Sequence, residues 1–300
     1  MKNCCKDEII CIGEVLWDSL PSGLYLGGAP LNVSLHLRNL IDQVAIASRV
    51  GNDRLGKEAV HRIENRNIST NLVQQDEDWE TGFVEVDLDE KGNPDYRIVE
   101  SVAWDRIEVT DPLLARVEEA WAIVFGSLAQ RAETTRKTIE QLCRCKCLNV
   151  FDINLRPPFI DEQVIENSLS YADILKLNHD ELMQLREWYN LPKSIHEAIL
   201  TLSVEFDIPI IALTCGEDGS ALLYYNEWFE HHGFKVDVAD AVGAGDAFLS
   251  ALLYGIKKGE PGDEILAMAN ATGAYVASQN GAAPEYDLKL IQNIMQAKSR

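Results

Sequence analysis

The hydrophobic pattern changes its period several times along the chain. Ile9–Trp17 (IICIGEVLW) is an almost unbroken apolar run and predicts a buried strand. Leu31, Leu35 and Leu37 then recur at helical spacing, predicting a helix over Pro30–Leu40. VAIASRVG predicts a second strand, and Arg54–Asn67 a second helix. From Thr81 to Val109 apolar and polar residues alternate (Phe83, Val84, Val86, Leu88, then Tyr96, Ile98, Val99) about a Glu90-Lys91-Gly92-Asn93-Pro94 turn. That predicts a half-exposed antiparallel hairpin inserted into the α/β body. Strand-like runs return at 121–125, 148–153, 173–177, 209–213 and 220–225, most with helical patterns between them, and the tail reads as helices at 243–258, 263–278 and 287–298.

Strands alternating with helices predict an α/β fold: a doubly wound, mostly parallel sheet flanked by helices. No repeat, low-complexity tract or linker interrupts the pattern, so one domain over residues 1–300 is expected, with a small β lid at about 81–109. A hydrophobic share of 46% with 25% charged residues is globular, and a net charge of −21 repels phosphate backbones, which argues against a nucleic-acid partner. No apolar run approaches the roughly 20 residues that span a bilayer. The start, MKNCCKDEII, has acids where a signal peptide needs an apolar stretch, so a cytoplasmic protein without a membrane partner is expected. The seven cysteines are an odd number, and a chain this apolar needs no disulfide framework. Cys143-x-Cys145-x-Cys147 lacks the two-residue spacing of zinc pairs and reads as thiols at a helix–strand junction.

Ligands of open α/β sheets bind beyond the carboxyl ends of the strands, and four groups of residues fall there. In Gly27-Gly28-Ala29-Pro30-Leu31-Asn32, bare glycines admit a ligand to the backbone and Asn32 offers both a donor and an acceptor; Asp18, upstream, is placed to accept bonds from adjacent hydroxyls. In Asp240-Ala241-Val242-Gly243-Ala244-Gly245-Asp246, Gly243, Ala244 and Gly245 open a helix whose amide groups form an anion site, and Asp246 in its first turn is placed to take a proton from an attacking hydroxyl. Asn178-His179-Asp180-Glu181 follows the 173–177 strand; Asn178 and Glu181 are candidates to orient Mg²⁺ through water. Thr214-Cys215-Gly216-Glu217-Asp218-Gly219 is a turn fit for nucleotide phosphates. Each group alone also reads as ordinary structure: a glycine turn, a packed helix start, an acidic helix N-terminus, a hairpin turn. GxxxxGK[ST], the HRD/DFG set, GxSxG and a GxGxxG after the first strand are all absent.

Together, GGAPLN early, GAGD late, an N-x-x-E between them and the inserted hairpin resemble the PfkB, or ribokinase-like, family of carbohydrate kinases, from about Ile9 to Pro284. The resemblance implies a ribokinase-like sheet under a β lid that often mediates homodimerisation, and transfer of the ATP γ-phosphate to a sugar hydroxyl assisted by Mg²⁺. It implies Asp246 as the base, Gly243, Ala244 and Gly245 as the anion hole, and Asp18, Gly28 and Asn32 as sugar contacts. It further implies Asn178 and Glu181 at the magnesium and phosphate, Thr214 and Gly216 at the nucleotide, and Asn280 near the adenine. Asp152-Ile153-Asn154-Leu155-Arg156 matches a D-x-N-x-R element of the fructokinase-like and ketodeoxygluconate kinase-like branches, which places Asn154 by the sugar and Arg156 by a sugar oxygen or the phosphate. Ala241 stands where the motif often has Thr, which removes a hydroxyl near a region where some members bind a monovalent cation and leaves K⁺ dependence open. GEVLWD, GGAPLN and Val102-Ala103-Trp104-Asp105 are most similar to fructokinases, so fructose is the first expectation, with Trp104 either stacking on the sugar or packing at the lid base. The alternatives are a ribose, nucleoside or 2-keto-3-deoxygluconate kinase of the same fold, or a non-catalytic sugar or nucleotide sensor.

Overall fold

The computed structural model describes residues 7–20, 23–88 and 94–296; Cys4, Cys5, most of the expected Glu90–Pro94 turn and the end of the 287–298 helix lie outside these. The chain opens with β1 (Ile9–Ile12), β2 (Leu16–Leu20), β3 (Gly23–Gly27), α1 (Ala29–Leu40), β4 (Val44–Gly51) and α2 (Arg54–Asn65). Then come β5 (Val73–Asp76), β6 (Gly82–Leu88), β7 (Pro94–Ile98), α3 (Asp111–Glu119), β8 (Ala122–Gly126), α4 (Glu133–Leu142) and β9 (Leu148–Asp152). The middle of the chain supplies α5 (Glu162–Tyr171), β10 (Ile174–Asn178), α6 (His179–Tyr189), α7 (Ile195–Phe206), β11 (Ile210–Thr214), β12 (Ser220–Tyr224) and β13 (Glu227–His231). It closes with α8 (Ala244–Lys258), α9 (Gly262–Ala277) and α10 (Leu288–Gln296).

Among the described residues, nine strands form one sheet in the order β13-β12-β11-β10-β9-β8-β1-β4-β5. Every pairing from β5 to β11 is parallel, and β12 and β13 add an antiparallel edge. Successive residues of a strand face opposite sides, and both sides are covered. In β1, Ile9 and Cys11 pack into the layer with α1, α2, α8, α9 and α10, while Ile10 and Ile12 pack into the layer with α3 to α7. This explains why the central strands read as continuous apolar runs rather than alternating ones. The strand order reverses beside β1, so a crevice opens at the carboxyl ends of β1, β8, β9 and β10, the usual ligand position in this architecture.

The structure alters two elements expected from the sequence. The run Ile9–Trp17 is two strands in two different sheets. Gly13, at φ +145°, breaks it, and the Ser48 hydroxyl donates to the Gly13 carbonyl at 2.7 Å. The small sheet is also larger than the 81–109 hairpin, with the order β3-β2-β6-β7: the β2–β3 hairpin joins β6 through a parallel pairing that aligns Asp18 with Val84. Asp53 ties the two sheets together, because it caps α2 through Gly56 N (2.7 Å) and also accepts from the Thr81 amide (2.8 Å) and hydroxyl (2.9 Å) at the foot of β6.

Beyond β7 the chain does not continue as hairpin; it turns inward as a short 3-10 helix, Ala103–Arg106. Trp104 is fully buried there, with Val102, Ile107 and Leu128 around it. The Arg131 guanidinium lies 3.9 Å from its ring centroid and pairs with Asp105 at 2.8 Å. Of the two roles expected for Trp104, packing at the base of the small sheet is the one this geometry serves, since no face of the indole is open to a ligand. Trp104→Ala should cost about 3–5 kcal/mol of stability, measured by chemical unfolding; a loss under 1 kcal/mol would contradict the packing role.

Candidate active site

At the end of β1 the chain carries a carboxylate where the strand pattern predicts an apolar residue. Glu14 is buried, and its Oε1 accepts from the Ala29 amide at 3.2 Å, so it meets the first turn of α1. Its Oε2 is buried without a hydrogen-bond partner. Burial raises its pKa to about 7, helped by the charge of Asp246 and opposed by Arg156 and backbone amides. The Gly27-Gly28 turn is glycine for steric reasons. Gly28 has φ +112°, and a Cβ there would stand 2.3 Å from the Glu14 carbonyl oxygen; a Cβ on Gly27 would stand 2.6 Å from Asp18 Oδ2. Asp18, on β2 opposite Tyr25, is half-buried, and burial raises its pKa against the pull of Arg156.

Asn32, in the first turns of α1, donates to Asp246 Oδ2 at 2.9 Å. Its own Oδ1 is buried and unpartnered. This one bond joins two motifs 214 residues apart. Asp246 sits in the first turn of α8, whose N-cap Gly243 is left-handed at φ +81°; a Cβ there would overlap the Ala282 carbonyl oxygen. The Ala244 amide makes a 3.3 Å turn bond to Ala241. The next amides, on Gly245 and Asp246, belong to the helix start, where no intrahelical acceptor exists and the macrodipole favours an anion. Burial, then the neighbouring charge of Asp152, raises the Asp246 pKa to about 6; Lys176, the Asn32 hydrogen bond and Arg156 pull it down. Above that value Asp246 is a carboxylate positioned to accept a proton.

Two residues that the sequence reading did not single out stand beside it. Lys176 on β10 is buried and holds Asp152, at the end of β9, with Nζ at 2.9 and 3.2 Å from its two carboxylate oxygens. Burial works against the Lys176 ammonium, but Asp152, Glu181 and Asp246 prevail and its pKa is raised. The available signal was a lysine inside the apolar run ILKLN, on a strand covered on both faces. Glu14 gave the same kind of signal inside IICIGEVLW.

Arg156 is exposed beyond β9, donating to its own neighbour Leu155 O at 3.1 Å, and its charge acts on Glu14, Asp18 and Asp246 alike. Asn154 adopts a left-handed conformation at φ +43°, and its carbonyl accepts from the Ser127 hydroxyl at 3.3 Å. Asn178, Thr214 and Gly216 line one cleft of about 470 Å³ together with His179, Asp180, Ile195, Cys215 and Asp218. Asn178 lies two residues beyond Lys176 on β10, so the two share a strand face and the cleft adjoins the Lys176–Asp152 pair. Gly216, at φ +58°, has open space where a side chain would be. Asn280 is exposed in the turn after α9 and is not among the residues that line this cleft.

Asn178 and Glu181, expected to orient Mg²⁺ through water, are also structural residues. Asn178 and Glu181 form a reciprocal cap on α6: Glu181 N donates to Asn178 Oδ1 at 2.9 Å, and Asn178 N to Glu181 Oε2 at 2.8 Å. The second Glu181 oxygen accepts from Leu155 N at 3.0 Å, and the side chain is buried. Both residues are thereby engaged by backbone amides. Among the described residues no cluster of three His, Cys, Asp or Glu side chains is arranged to hold a metal, Cys143-x-Cys145-x-Cys147 included. The donor set does not form a protein cage for Mg²⁺.

With this geometry in place, the comparisons with known proteins are direct. The model of the pfkB family carbohydrate kinases matches residues 22–287, and the chain belongs to that family. It is 30% identical over 269 residues to the uncharacterized sugar kinase PH1459 of Pyrococcus horikoshii, covering 85% of this chain and 82% of the relative. The solved structure of that protein superposes with a TM-score of 0.79 at 26% identity, over 96% of this chain and all of the other. An ATP-dependent 6-phosphofructokinase of Thermoanaerobacterium thermosaccharolyticum is 26% identical, covering 98% and 95% of the two chains, and the fructokinase of Salmonella typhimurium 25%, covering 92% and 94%. A fructokinase structure with bound ATP from Xylella fastidiosa has a TM-score of 0.86 at 22% identity, covering 98% and 100%, which establishes the ribokinase-like fold. The protein is a sugar kinase, a phosphotransferase acting on an alcohol group.

The glycine at position 28 gives a direct check on the site's construction. Gly28→Ala should destabilise the protein by more than about 1 kcal/mol in denaturant unfolding, because the new methyl group meets a backbone oxygen at a strained φ. Full stability in that variant would contradict the close approach of Glu14 to the turn.

Proposed function

We propose that the protein transfers the γ-phosphoryl group of ATP to a hydroxyl of an unphosphorylated sugar, with fructose as the first candidate, and that Asp246 is the base. The observation that carries this reading is the Asn32–Asp246 bond: it sets a carboxylate at the junction of the glycine turn before α1 and the amide-lined start of α8. A sugar on the Asp18, Gly28 and Asn32 side would present a hydroxyl to Asp246. The triphosphate, entering past Asn178, Thr214 and Gly216, would direct its γ-phosphoryl at the Gly243-Ala244-Gly245 turn. The hydroxyl proton passes to Asp246, the new O–P bond forms, and ADP leaves.

ATP is the bound nucleotide in a fructokinase structure and in one of PH1459, which supports it as the donor here. Mg²⁺ is named in the complex of a ribokinase-like protein of E. coli. Here such an ion would arrive on the triphosphate with its own waters, as magnesium commonly does, and neutralise phosphate charge. Ala241 supplies no side-chain oxygen, so any K⁺ held near the Asp240 loop would rest on backbone carbonyls. The acceptor side favours a neutral sugar over a sugar phosphate. Asp18 and Asp246 bring acidic side chains to it beside the carboxyl group of Glu14, while Lys176 is bound to Asp152, leaving the exposed Arg156 as the cation that acts on all three. The fructokinase relatives support fructose.

The test is ADP release with fructose, ribose, adenosine, 2-keto-3-deoxygluconate and fructose 6-phosphate as competing acceptors, in the parent and in Asp246→Asn. Fructose should be preferred and fructose 6-phosphate poor. Asp246→Asn should lose about 10²–10⁴ in turnover while still binding ATP. A preference for fructose 6-phosphate, or an undiminished rate in the variant, would overturn the acceptor and the base respectively.

A further inference from the structure

Lys176 does not suit its strand. Its neighbours Ile174, Leu175 and Leu177 are fully buried and apolar, and an ammonium in that position costs several kcal/mol of desolvation. A sheet that needed only packing would carry leucine or valine there. The side chain is also placed closely: a Cβ on Gly245 would stand 3.2 Å from Lys176 Nζ and 3.8 Å from Cε, so the ammonium lies directly behind the first turn of α8. It bonds to both Asp152 oxygens, and Asp246, the residue after Gly245, is near enough for the two charges to act on each other.

We propose that Lys176 is a positioning residue for phosphoryl transfer: clamped on Asp152 behind the Gly245 turn, its ammonium keeps Asp246 ionised so that it can take the hydroxyl proton. This rests on the reading of Asp246 as the base. The charge balance makes the argument. Asp152 brings a second carboxylate close to Asp246 in a partly desolvated site, and without a cation beside them Asp246 is harder to keep ionised. The groups facing Asp246 come from every element around it: Asn32 from α1, Cys11 and Glu14 from β1 and the segment after it, Asp152 from the end of β9, Arg156 from the loop beyond, and Lys176 from β10. Of the two cations, Arg156 is exposed and its pull is screened by water, whereas Lys176 is buried. The proximity of the ammonium also accounts for the residue at 245: a larger side chain would have to displace the clamp.

The experiment is the pH dependence of single-turnover phosphoryl transfer in the parent and in Lys176→Met, Lys176→Arg, Asp152→Asn and the double variant Lys176→Met/Asp152→Asn. The parent rate should fall as pH drops through about 6, where Asp246 becomes protonated. Lys176→Met should move that acid limb up by about one pH unit, and Asp152→Asn should move it down. Lys176→Arg, which keeps the charge, should leave it near the parent, and the double variant, which removes both charges, should return it to within about half a unit. If Lys176→Met does not fold, the opposite movement in Asp152→Asn and the return in the double variant still decide the matter. A rate loss without movement of the limb in these variants would reduce Lys176 to a structural role and overturn the inference. Asp246→Asn run in parallel separates the two readings: an active Asp246→Asn enzyme removes the base and this inference together, while an inactive one with unmoved limbs in the Lys176 and Asp152 variants removes only this inference.

Discussion

A carboxylate taken out of water must be kept charged by its surroundings, and much of the site follows from that constraint at Asp246. Burial and Asp152 push it toward the neutral acid; Lys176, the Asn32 amide and Arg156 restore the carboxylate. Each of those groups is delivered by a different element, α1, β9, β10 or the loop after β9, and they meet because the parallel strands all end on one side of the sheet. The doubly wound fold therefore sets the electrostatics. It brings two helix starts and three strand ends to a single crevice, where the buried Lys176 is bound to Asp152 among several acidic groups.

Glycines stand along the same crevice where neighbouring atoms occupy the space a side chain would fill. Gly28 lies against the Glu14 carbonyl, Gly243 against the Ala282 carbonyl, and Gly245 against the Lys176 ammonium. The Ala282 carbonyl is itself anchored from behind by the buried His36 ring, whose Nε2 is 2.9 Å away, with Tyr286 stacked on the ring. The pKa of His36 is lowered to about 4, first by burial, so the ring is neutral near pH 7 and serves as a fixed hydrogen-bonding wedge. The small sheet is tied to the main body by the Asp53–Thr81 hydrogen bonds, and the segment after β7 by the Trp104–Arg131–Asp105 contacts.

Local signals in the sequence were sufficient for the parts of the fold that depend on local pattern. The parallel strands, the capped helices and the two glycine motifs were legible because burial on both faces writes itself as continuous apolar runs, and helix starts need particular residues. What was hidden depends on pairing or on exceptions. β5 (VQQD) and β13 (EWFEH) are short, polar edge strands that no hydrophobic period announces. The parallel partnership of β2 with β6 links residues more than sixty positions apart, and nothing in either segment encodes the other. Trp104 stayed open between sugar stacking and packing because a sequence cannot say which way a chain turns after a strand. Asn178 and Glu181 carried the pattern of a metal-linked motif, and the same two residues form a capping box, a second role that the motif alone did not announce. Lys176 and Glu14 were the informative exceptions: charges inside otherwise apolar strand runs.

The most direct measurement is a crystal structure of the protein with fructose and a nonhydrolysable ATP analogue. The account predicts one sugar hydroxyl within hydrogen-bond reach of Asp246, about 2.6–3.2 Å, with the terminal phosphoryl over the Gly243–Gly245 amides and Lys176 still bound to Asp152. A sugar seated with its hydroxyls turned from Asp246, or a phosphate chain lodged away from the start of α8, would contradict it.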